Sequence, residues 1–121
     1  SAAFAVARRL NPDRRESIEG NLAVMWKRRG DDSLKDGRPA EAVASYVRAE
    51  EHLLNTPPGK QRSALLSHAR VMRALALARQ GRKGEAQAAF AAAAATWAPI
   101  VDTDEARRAL EEIDAGGAGS R

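Results

Sequence analysis

One six-residue pattern, Gly-Arg-x-x-Glu-Ala, occurs twice: at Gly37, Arg38, Glu41 and Ala42, and again at Gly81, Arg82, Glu85 and Ala86. Behind each copy, at the same offsets, stand an aromatic and a small residue, Tyr46 with Ala49 and then Phe90 with Ala93. A pattern that returns after some 44 positions calls for stacked equivalent units, each unable to bury its apolar face alone. A shorter echo opens the chain, where Phe4, Ala7 and Pro12 give the aromatic, the small residue and a break.

Each unit reads as two helices. Ile18, Leu22, Met25 and Trp26 recur at helical spacing behind Asn11 and Pro12, which predicts a helix over residues 12–36 with Gly20 and Gly30 as points of bending. Gly37 supplies a left-handed turn, and Pro39 restarts a helix whose stripe is Ala42, Val43, Tyr46, Ala49 and Leu53. The two prolines of residues 55–59 end it. Leu65, Ala69, Met72 and Ala76 predict a third helix over 61–80, stopped at Gly81, and a fourth follows over 85–97, before Pro99. Asp102 and Glu105 read as the capping box of a fifth helix with the narrow stripe Ala106, Leu110 and Ile113, suited to an end cap. The Gly-rich residues 116–121 read as a flexible tail. Composition agrees with an all-α chain: 27 of 121 residues are Ala and only 4% are aromatic. Trp26, Tyr46, Phe90 and Trp97 are expected to fill the spaces between helices.

The same sequence argues against several chemistries. Without cysteine there is no thiol catalysis, Cys-ligated zinc or disulfide framework. His52 and His68 lack a metal-ligand spacing, and His52 is expected at the exposed end of its helix. The run Asp31, Asp32, Asp36, Gly37 fails as a calcium loop, because Leu34 takes a ligand place and Val43 the closing one. Gly81, Arg82, Lys83 and Gly84 form a turn without the Lys-Ser or Lys-Thr of a phosphate loop. Glu50 with Glu51, and Glu111 with Glu112, are helix neighbours pointing in different directions. No enzyme, cofactor or metal is expected. The longest apolar run, residues 88–95, is far short of the roughly 20 residues of a membrane span. A soluble chain is expected, with the cytoplasm as the default compartment.

Charge is uneven within a net +4. Residues 52–84 hold no acid and seven bases, whereas 102–114 hold six acids and two bases. Ordinary solvation accounts for such a distribution; so does a basic surface awaiting an acidic ligand.

Taken together, Trp26, Gly30, Gly37, Ala42, Tyr46 and Ala49, then Ala74, Leu77, Gly81, Ala86, Phe90 and Ala93, resemble the tetratricopeptide repeat (TPR). The resemblance implies stacked helix-turn-helix pairs in an α-α superhelix: repeats at 13–56 and 57–100, a capping helix at 101–115, and the second half of a truncated repeat at 1–12. The period exceeds the family's roughly 34 residues, which implies first helices longer by two turns or more. Arg70 and Arg73 stand where the family has large apolar residues.

The family's first helices line a concave face. Its ligand-contacting places fall here on Val24, Lys27, Asp31, Leu34 and Lys35, then His68, Val71, Leu75, Ala78 and Arg79. Such a groove, half apolar and mildly basic, suits a peptide or helix with carboxylates beside apolar anchors. Lys27 matches one member of the family's clamp for a terminal carboxylate, but Asp31 and Met72 replace its asparagines, so that role is not implied. The resemblance thus implies a protein-interaction scaffold. Two alternatives stand beside it: a nucleic-acid-binding or regulatory module using the basic 60–83 stretch, and a structural segment of a longer array. Phe4, Val6 and Leu10 lack a covering helix, so their segment is expected to pack near Ile18 and Leu22 or to form a homodimer.

Overall fold

The two Gly-Arg strings build the same turn. In the first, the Arg38 N–H donates to the Ser33 carbonyl (2.8 Å) and the Gly37 N–H to that of Leu34 (3.2 Å); in the second, the Arg82 N–H donates to Leu77 (3.0 Å) and the Gly81 N–H to Ala78 (2.9 Å). Both glycines have φ of 75°, the left-handed conformation that a Cβ penalises and that this Schellman ending requires. Each arginine pairs with the glutamate three residues on, Arg38 with Glu41 and Arg82 with Glu85.

The computed structural model describes residues 12–116. The expectations for the segment before Pro12 and for residues 117–121 lie outside the described residues. The elements are α1 (Pro12–Lys35), α2 (Pro39–Leu54), α3 (Lys60–Arg79), α4 (Lys83–Thr96), a short 3-10 helix (Ala98–Asp102) and α5 (Asp104–Asp114). No strand occurs among the described residues, so the architecture is all-α. Helix α1 runs unbroken through Gly20 and Gly30. Consecutive helices pack as hairpins, α2 sits between α1 and α3, and α5 rests on α3.

The core repeats with the turns. Ala42 and Ala86, and likewise Ala49 and Ala93, are fully buried, letting the backbones approach closely. Tyr46 is fully buried, its ring against Gly30; a Cβ at Gly30 would lie 2.6 Å from Tyr46 Cε1. In the second hairpin Ala74 belongs to a buried cluster with half-buried Phe90 packed against it. Phe90 also packs on the cluster of Val71, Ile100 and Ala106, so it bridges two parts of the core. Trp26 is half-buried rather than enclosed: the guanidinium groups of Arg29 and Arg48 lie 5.0 and 5.6 Å from its ring centroid. This is a cation–π arrangement.

Arg70 and Arg73, the departures from the apolar pattern, turn to the buried carboxylate of Glu50. Arg70 Nε donates to Glu50 Oε1 (2.9 Å) and Arg73 Nε to Oε2 (2.6 Å), while Arg70 Nη1 also reaches Thr96 Oγ1 (2.5 Å). One charge cluster therefore ties α2, α3 and α4 together. His52 is not at an exposed end but half-buried, its Nδ1 2.7 Å from the buried Glu19 carboxylate of α1. The capping expectation for α5 is corrected too. Thr103 is the cap, its hydroxyl accepting from the Ala106 N–H (3.2 Å), because the 3-10 turn after Trp97 absorbs Asp102.

Candidate partner-binding groove

Helices α1 and α3 touch at few points, since α2 holds them apart, and the gap is a groove of about 370 Å³. Lys27, Asp31, Leu34 and Lys35 line its α1 side, and His68, Leu75 and Arg79 its α3 side. The helical period brings them together: residues 27, 31 and 35 recur every four positions, and 68, 75 and 79 are spaced by seven and four, two turns and one. Seven of the sequence-derived groove residues thus share one surface. Met72, one turn from His68, and Glu105 of α5 complete it.

Three expected members stand elsewhere. Val71 is fully buried and Ala78 is 1% exposed, so neither presents a side chain to a ligand. The cause is the end cap: Ile100, Ala106 and Ala109 cluster over Val71, whereas Lys27, its counterpart one repeat earlier, stays half-exposed. Val24 is 53% exposed but lines a neighbouring cleft.

The charges in the groove are mostly held by partners. Tyr46 Oη donates to Asp31 Oδ1 (2.5 Å), and Lys27 Nζ donates to Asp31 Oδ2 (3.3 Å), so a core phenol orients a groove carboxylate. Burial first, then the hydrogen bond to Asp31, pushes the Tyr46 hydroxyl well above its ordinary 10.0, which keeps it a donor. Arg79 grips Glu112 with two bonds, 2.9 and 3.2 Å, and His68 meets Glu105. Lys35 is exposed and enters no ion pair among the described residues. Groups of three or more metal-ligating side chains are absent among the described residues. The arrangement offers fixed donors and acceptors along an apolar floor of Leu34, Met72 and Leu75.

The cleft beside the groove is larger, about 480 Å³, and was not foreseen from the sequence. It lies between the N-terminal halves of α1 and α3, with Val24 and Leu65 on its walls and Pro57 and Pro58 at its end. Lys27 lines both cavities, so they adjoin at its side chain. The Arg62 guanidinium donates to the Thr56 carbonyl (2.9 Å) and so braces the proline loop. The proline pair was the available signal; Leu65 read as part of its helix's apolar stripe, and only the structure shows it 41% exposed in the cleft.

The basic 60–83 stretch has become part of the internal bonding. Arg70, Arg73, Arg79 and Arg82 each meet a carboxylate, and Lys83 donates to the Asp114 carbonyl at 3.4 Å. No helix among the described residues is long and apolar enough to cross a membrane. Compared with protein-family models, curated proteins and solved structures, the chain matches none.

Proposed function

We propose that this chain is a TPR-like interaction scaffold that recruits a partner peptide or helix into the groove between α1 and α3. The observation that carries this reading is the convergence of seven ligand-position residues on one continuous concave surface. Its floor is apolar, and Lys35, which enters no ion pair among the described residues, is basic. Apolar contact supplies most of the affinity in such a groove, while exposed charges select and steer. The nucleic-acid reading loses support from the internal pairing of the 60–83 arginines, and half-buried Trp26 is already covered by two of the chain's own arginines.

The test is capture of partners by the whole chain carrying a photo-cross-linker at position 35. Proteins cross-linked there are then retested against Lys35→Glu and Leu75→Ser. The expected result is slower association for the first and faster dissociation for the second, with unchanged circular dichroism. A partner bound equally well by both variants would move the interaction off this groove.

A further inference from the structure

We propose that the cleft walled by Val24 and Leu65 is the anchor subsite for the partner, taking one large apolar side chain flanked by aspartate or glutamate. The inference rests on the groove reading and gives the partner its chemistry. Val24 and Leu65 are 53% and 41% exposed and line the same cleft, so two large apolar side chains are open to a ligand there. Ala49 and Leu53 of α2 also line the cleft, and the 24-residue α1 outruns the 16-residue α2, so its first turns, with Glu16, project about 12 Å beyond α2. The Pro57-Pro58 loop, braced by Arg62, closes the far end. At about 480 Å³ the space lies in the range of sites that enclose a ligand group.

Charge determines what accompanies the apolar group. Lys60 and Arg62 stand around the cleft with one acid, Glu16, while Lys27, also in its lining, is paired with Asp31. Lys60 enters no ion pair among the described residues, and Arg62 is bonded to a neutral carbonyl, so its charge is not cancelled. A basic or wholly polar segment therefore fits poorly, and an acidic one is drawn in. Cleft and groove adjoin at Lys27, and the groove lining continues along α1 to Lys35. Val24 and Lys35 are separated by about 16 Å along α1, a distance covered by about five residues of extended chain. The anchor and the carboxylate that meets Lys35 should be that far apart.

The experiment is selection of random twelve-residue peptides displayed on phage against the full chain, followed by fluorescence anisotropy with synthetic copies. Enriched peptides should carry a large apolar residue with Asp or Glu within about five positions. Leu65→Asp should weaken them at least tenfold and Lys60→Glu severalfold, both with unchanged circular dichroism; Lys60→Glu decides if Leu65→Asp fails to fold. Peptides lacking a large apolar residue, or indifferent to both variants, overturn the anchor. If such peptides still respond to Lys35→Glu and Leu75→Ser, the groove survives without it; indifference to all four removes both. No enrichment, with an anionic naphthalene dye displaced by a fatty acid instead, assigns the cleft to a small amphiphile and also overturns the proposal.

Discussion

The hydroxyl of Tyr46, in the core between α1 and α2, orients the carboxylate of Asp31 in the groove at 2.5 Å. Core packing and groove chemistry therefore meet in one bond. Tyr46→Phe should leave the fold intact at a cost of about 1 kcal/mol, and should loosen Lys27, which shares Asp31. Urea denaturation gives the cost; the sodium-dependence of peptide binding reports on the freed lysine.

The same bond has a pH signature. The Tyr46 pKa is raised by folding, so the folded chain holds this proton more tightly than the unfolded chain does. The resulting stability is fully present below about pH 10 and is lost progressively as pH climbs through the alkaline range above it. Tyr46 is the one tyrosine of the sequence, so phenolate absorbance reads it directly. Ionisation should accompany unfolding, and Tyr46→Phe should remove this part of the alkaline loss. Phenolate formation at an ordinary pH in the folded chain would contradict it.

Gly30 and Gly20 should respond in opposite directions. A Cβ at Gly30 collides with the Tyr46 ring, whereas nothing stands within 4 Å of one at Gly20. Gly30→Ala should destabilise by about 1–3 kcal/mol through overpacking. Gly20→Ala should stabilise by about 0.5–1 kcal/mol, since helical alanine replaces glycine without a clash. Thermal melts of the two variants should move apart.

Glu50 joins three helices through Arg70 and Arg73. Removing one member of a fully buried ion group costs about 3–5 kcal/mol. The arginine side chains here are 22% and 24% exposed, so solvent screening brings the expectation for Glu50→Ala to about 2–3 kcal/mol. Replacement of all three by apolar residues should recover much of that loss, as urea denaturation of the triple variant beside Glu50→Ala would reveal.

Phe90 packs against both clusters of the second half. Phe90→Ala should cost about 3 kcal/mol, the lower part of the usual range because the ring is only half-buried. A loss below about 1 kcal/mol in urea would remove Phe90 from this bridging role.

The turn glycines were legible because a left-handed residue, an arginine and a pairing glutamate recur locally. The helix face was legible too: helical period puts Lys27, Asp31 and Lys35 on one side of α1, and the repeat resemblance implied that this side lines a groove. The burial of Val71 was hidden, since it depends on where Ile100 and α5 fold back. Glu50 with Arg70 and Arg73 was hidden too. A charge on a helix carries no local mark of which distant charge it meets, so the sequence left these arginines open between ordinary solvation and a basic surface.

Because α1 and α3 each lean on α2 while barely touching one another, α2 acts as a fulcrum for the first half of the chain. Stacked repeats are held by neighbour contacts alone. A partner bound in the proposed groove across α1 and α3 would supply the missing brace, and the two hairpins should then melt as one body. Occupancy would then be readable as sharper cooperativity, even where the melting temperature shifts little.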